Sequence, residues 1–157
     1  MQQHEPISDG DILKLIRTRV LRYGDLAKFN DIDSVLINDS VVILIPHPDT
    51  PNGVGHWVCV YRHGDILSYF DSYGRLPDNE MYLNGDFPYL SQLLLVSPYV
   101  LEYNDHNYQK HNMATCGRHV IVRILMKDRS IDDYDRFMRA FKDDDALVTA
   151  ITSMIKK

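Results

Sequence analysis

From the N-terminus, apolar positions first recur at helical spacing: Ile12, Leu13, Ile16 and Val20 follow a polar start at Ser8 and run until Gly24. Ser8, with Asp11 three residues later, has the form of a helix N-cap with a partial capping box, so the spacing predicts a helix over 9–23. Val41 to Ile45 is an unbroken aliphatic run stopped by Pro46 and Pro48. Such a run suits a strand buried on both faces, central in a sheet. A loop rich in turn formers (Pro48, Pro51, Asn52, Gly53, Gly55) then leads into His56-Trp57-Val58-Cys59-Val60-Tyr61, which is strand-like in composition. His63-Gly64-Asp65 turns the chain and Ile66 to Phe70 returns, so 56–71 reads as a β-hairpin with His56 and Asp71 at its two open ends.

Beyond Pro88, Tyr89 to Val96 has a helical pattern, Tyr99 to Tyr103 has the composition of a short strand, and Asn104 to Thr115 is a polar loop. From Cys116 onward, Val120, Ile121, Ile124 and Leu125 mark a largely buried helix. Ile131 to Phe141 and Ala146 to Ile155 are two amphipathic helices around a break at Asp143 to Asp145. No internal repeat or low-complexity stretch interrupts this order. The class is α+β.

At 157 residues, 18.2 kDa and 45% hydrophobic content, the chain supports one ordinary core, hence a single domain over 1–157. A net charge of -5 and a pI near 5.7 make nucleic acid an unexpected main partner, despite the local cluster Arg17, Arg19 and Arg22. The opening residues, with His4, Glu5, Asp9 and Asp11, lack the apolar core of a signal peptide. The longest aliphatic runs, 41–45 and 93–96, are too short to cross a bilayer. A soluble, intracellular protein is expected. Two cysteines, Cys59 and Cys116, do not make a disulfide framework, so each thiol is read separately.

Cys116 stands where a polar loop ends and an apolar helix begins, where unpaired backbone N–H groups and the helix dipole favour a thiolate. For a cysteine taken alone, a small buried hydrophobe is the more common role. His56 opens a strand beside a loop, a well-held position for a base. Asp71, ending the paired strand, is placed to orient that base, although Asp71-Ser72-Tyr73-Gly74 is equally a turn in which the aspartate bonds backbone amides. Gln109 lies seven positions before Cys116, where its amide and the Cys116 N–H can both donate to an oxyanion. These four types, in the order His, Asp, Gln, Cys, point to a cysteine peptidase that needs no cofactor.

The run Gly55-His56-Trp57, then Tyr69-Phe70-Asp71-Ser72, then Gln109 and Thr115-Cys116-Gly117 resembles the adenovirus-type maturation proteases and the related ubiquitin-like-modifier proteases. The interval from Gln109 to Cys116 is like the adenoviral branch, while an aspartate at Asp71 is like the modifier branch. The resemblance covers about 40–127. It implies a central mixed sheet packed against the helix that carries the nucleophile, with flanking N- and C-terminal helices. It also implies a viral enzyme that processes capsid precursors, from a virophage, a large DNA virus or a related transposon. Both branches cleave after glycine and place an aromatic residue beside the catalytic histidine, which makes Trp57 a substrate-channel residue here. Adenoviral relatives are activated by a disulfide-linked peptide and by DNA; a mid-strand Cys59 and a negative net charge argue against both for this chain.

Four other readings fit the same residues. A deubiquitinase-like or deSUMOylase-like isopeptidase, or a protein acyltransferase, would use the same triad. A structural zinc site would use His106, His111, Cys116 and His119. An inactive binding module would retain the fold alone.

Overall fold

A computed structural model of the chain describes residues 8–46, 55–78, 87–104, 106–109 and 115–155. The turn-rich loop expected before Gly55 and the candidate ligand His111 lie outside them.

Among the described residues five strands form one sheet in sequence order: β1 (Arg19–Arg22), β2 (Ser40–Pro46), β3 (Gly55–His63), β4 (Ile66–Phe70) and β5 (Val100–Tyr103). The two outer pairings are parallel and the two inner ones antiparallel, so the sheet is mixed. The expected hairpin is β3–β4, turned at Gly64 with φ of 60°, a left-handed conformation that glycine accepts without strain. Among the described residues six helices accompany the sheet: α1 (Asp9–Leu15), α2 (Ile32–Val35), α3 (Tyr89–Leu95), α4 (Cys116–Leu125), α5 (Ile131–Arg139) and α6 (Asp144–Ile155).

Side chains alternate across a strand, so each interior strand feeds two apolar layers. Val42, Trp57, Cys59 and Phe70 face one layer with Ile12 of α1, Val120 of α4, Met138 of α5 and Val148 of α6. Val41, Ile43, Val58 and Tyr69 face the other, with Leu26, Ile32 of α2 and Leu90 of α3. Helices on both faces explain why β2 reads as an unbroken apolar run.

The predicted helix over 9–23 is shorter. Its capping box is present, with Ser8 Oγ accepting from the Asp11 N–H, but α1 ends at Leu15 and Ile16 is extended. Arg19 to Arg22 instead pair with Val41 to Leu44 as the edge strand β1, and 23–28 follow as a 3₁₀ turn. Backbone pairing with β2 outweighed a helical phase that Val20 continued only by coincidence. The break expected at Asp143 to Asp145 is narrower: Asp144 and Asp145 belong to α6, and Asp143 caps it, its carboxylate accepting from the Ala146 N–H at 3.1 Å.

α4 is buried along nearly its whole length, arginines included. The Arg123 guanidinium lies over the rings of Tyr61 and Tyr134, at 4.8 and 4.5 Å, and donates to the carbonyls of Met126 and Arg129, both at 2.9 Å. Aromatic faces and helix-end carbonyls replace the water that this cation has lost.

Candidate active site

The site is built from the open end of the hairpin upward. His56 is the second residue of β3, and Asp71 follows the last residue of β4. Antiparallel pairing brings them together: His56 Nε2 lies 2.6 Å from Asp71 Oδ1, with both side chains buried. The same Oδ1 accepts the Tyr73 N–H at 2.8 Å, and the Asp71 carbonyl accepts the Gly74 N–H at 2.8 Å, with Gly74 at φ of 77°. One carboxylate oxygen thus meets both the imidazole and a turn amide, and the turn aims it. Asn104, beyond β5, fixes the backbone at this point: its Nδ2 donates to the Asp71 carbonyl at 2.7 Å and its Oδ1 accepts the Asp71 N–H at 3.1 Å.

Cys116 is the first residue of α4, which packs on β3, and its Sγ accepts the Trp57 N–H at 3.5 Å. The Trp57 ring is 8% exposed and belongs to the apolar cluster that contains Cys116. With Nε2 on Asp71, His56 keeps Nδ1, which is buried, as its second nitrogen. Burial pulls the His56 imidazolium down, but the bond to Asp71 and then the neighbouring Cys116 outweigh it and raise the group to about 10. At neutral pH His56 is thus a cation, the partner that a thiolate requires. Tyr73 covers the imidazole, ring centroids 5.0 Å apart, and the Arg75 guanidinium lies over Tyr73 at 4.7 Å.

Gln109 is placed by Ser72. The Ser72 hydroxyl donates to Gln109 Oε1, and the Ser72 carbonyl accepts the N–H groups of Tyr108 at 2.7 Å and Gln109 at 3.1 Å. With its oxygen engaged, the Gln109 amide presents its NH₂ as the donor end. Gln109, Tyr73, Arg75, Lys142 and Asp144 line a cavity of about 590 Å³. The positioning roles of Ser72, Asn104 and Tyr73 were not read from the sequence. Only Ser72 carried a signal, as the residue after Asp71 in the motif.

Of the candidate zinc ligands, the described ones, His106, Cys116 and His119, form no group. His119 Nε2 pairs with Asp145 at 2.8 Å, and His106 Nδ1 meets Arg139 at 3.3 Å. No group of three potential metal ligands occurs among the described residues, and no described helix is long and apolar enough to cross a membrane.

Both cysteines are reduced and buried, yet their surroundings differ. Burial in the middle of β3 pushes the Cys59 thiol far above its ordinary value, whereas Cys116 meets a cationic imidazole at a helix start. Brief iodoacetamide treatment is therefore expected to label Cys116 well ahead of Cys59, as read by peptide mass spectrometry. Preferential labelling of Cys59 would contradict that contrast.

No protein-family profile matches the chain. It is 32% identical over 146 residues to protein V9 of Sputnik virophage, an alignment that covers 84% of this chain and 82% of that one. Its fold is similar to that of an ASFV protease, with a TM-score of 0.55 at 14% identity, over 95% of this chain and 67% of the other. It is similar too to the SUMO protease Ulp1, with a TM-score of 0.51 at 16% identity, over 96% and 76%. A Ulp1 protease domain in complex with Smt3, the yeast ortholog of SUMO, gives 0.50 at 17% identity, over 98% and 76%. At these low identities the structural likeness speaks for the fold, a mixed sheet packed against a cysteine-bearing helix, as the sequence motifs had implied. The fold of this chain is thus similar to that of the ASFV protease and the SUMO protease Ulp1, and with a relative of 32% identity over most of both lengths the chain belongs to the family of the virophage V9 protein.

Proposed function

We propose that the chain is a cysteine endopeptidase that cleaves viral capsid precursors after glycine. The observation that carries this reading is the buried His56–Asp71 pair at 2.6 Å, set on the strand whose next residue, Trp57, donates to the Cys116 sulfur. In the reaction, the Cys116 proton rests on the His56 imidazolium and the Cys116 thiolate attacks the scissile carbonyl. The oxyanion accepts from the Cys116 N–H and the Gln109 amide. The imidazolium then protonates the leaving amine as the C–N bond breaks. Water attacks the thioester, giving its proton to His56, and the Cys116 thiolate leaves beside the imidazolium. Asp71 stabilises the imidazolium and holds Nε2 as the donor.

A virophage relative supports a viral protein substrate, and a fold neighbour, the Ulp1 protease domain, is in complex with the protein Smt3. The preference for glycine is what the family resemblance implies, and Trp57, packed in the apolar cluster that contains Cys116, is the residue proposed to narrow the approach. A side chain beyond Cβ would hold the scissile carbonyl off the sulfur, and about 1 Å of misplacement costs on the order of 100-fold in rate. Profiling a peptide library with purified protein is expected to return glycine before the cleaved bond. Efficient cleavage after Leu, Phe or Arg, with glycine disfavoured, would show a wide channel and overturn the preference. Incubation with the capsid proteins encoded beside the gene tests the substrate directly.

A further inference from the structure

A second buried His–Asp pair lies directly beneath the nucleophile. Asp145, in the first turn of α6, accepts through Oδ1 both the Thr115 hydroxyl at 2.7 Å and His119 Nε2 at 2.8 Å. Thr115 and His119 are fully buried and Asp145 is 5% exposed. Thr115 and His119 stand four residues apart on one face of α4, so a single carboxylate bridges the first turn of the helix on either side of Cys116.

Thr115 occupies the N-cap position of α4, where a threonine ordinarily turns its hydroxyl inward to a backbone N–H of its own first turn. Here it makes no such bond, and its backbone, at φ -101° and ψ -1°, lacks the extended geometry of an ordinary cap. The hydroxyl is diverted out of the helix to α6. The peptide unit between Thr115 and Cys116 is thereby held from outside the helix at a place where helix ends otherwise fray. That unit carries the Cys116 N–H.

We propose that Thr115, Asp145 and His119 form a clamp that fixes the direction of the Cys116 N–H, making them positioning residues for the oxyanion site. This rests on the peptidase reading above. An oxyanion donor works only when pre-aimed, so a peptide plane free to rotate would weaken the transition state while leaving substrate binding and thiolate formation in place.

Thr115→Val keeps the shape and removes the hydroxyl. On a peptidyl-glycine coumarin amide its kcat is expected to fall about 10-fold to 100-fold with KM near the wild-type value. The rate of Cys116 alkylation by iodoacetamide, which uses no oxyanion site, should be unchanged. Thr115→Ser should restore kcat, which a loss of packing would not explain. If Thr115→Val does not fold, Asp145→Asn, which keeps an acceptor for both donors, should retain most of the turnover that Asp145→Ala loses. Normal turnover in Thr115→Val or Asp145→Ala would overturn the clamp, as would a parallel fall in turnover and alkylation. A wild-type protein that cleaves no peptide or capsid substrate would instead remove the peptidase reading.

Discussion

Asp71→Asn should lower kcat by about 100-fold to 10,000-fold in a protein that still folds, because the change keeps shape and removes charge. Oδ1 of Asp71 serves His56 and the Tyr73 N–H together, and an asparagine oxygen can continue to serve the turn. It cannot stabilise an imidazolium, and its NH₂ can hold the imidazole in the tautomer that has no free base toward Cys116. A pH series gives an independent readout. His56 has a folded pKa of about 10, raised above its ordinary 6.5. The stability it contributes is therefore full below pH 6.5 and is lost as pH rises toward about 10. The gap in melting temperature between wild type and Asp71→Asn should narrow across that window. Activity untouched by Asp71→Asn would reduce Asp71 to a turn residue.

Gln109→Ala should cost about 100-fold to 1000-fold in kcat, the usual consequence of removing one oxyanion donor. Because its amide oxygen is held by the Ser72 hydroxyl, Ser72→Ala should reproduce part of the loss by freeing the amide to turn. Losses at His56, Asp71, Gln109 and Cys116 should be strongly non-additive, as for residues that act as one unit. Single-turnover kinetics on each variant and on the pairs measure this. A Gln109→Ala protein with near-normal turnover would take Gln109 out of the oxyanion site.

The hairpin and the residues at its open end were legible because they depend on local pattern: alternating apolar residues, a Gly turn, and a histidine and an aspartate at matching ends. The helix from Cys116 was legible for the same reason. β1 was not, since Arg19 to Arg22 become a strand only through pairing with β2, a partner set by the tertiary fold. Asn104 and Ser72 are ordinary loop residues until the sheet folds them against Asp71 and Gln109. Asp145 read as part of a helix break, yet it opens α6 and reaches back to Thr115. No spacing rule announces contacts of that kind, because a carboxylate's partner across thirty residues depends on how two helices pack.

The separation of these parts in the chain also bears on when the thiol becomes dangerous. His56 and Asp71 are fifteen residues apart and meet by closing one hairpin, a local event early in folding. Cys116 is fifty-nine residues from Trp57 and joins only when α4 docks on β3. Until that last assembly the cysteine has no imidazolium beside it and behaves as any other thiol. On the proposed mechanism, a chain in which α4 has not docked on β3 holds its nucleophile apart from its base.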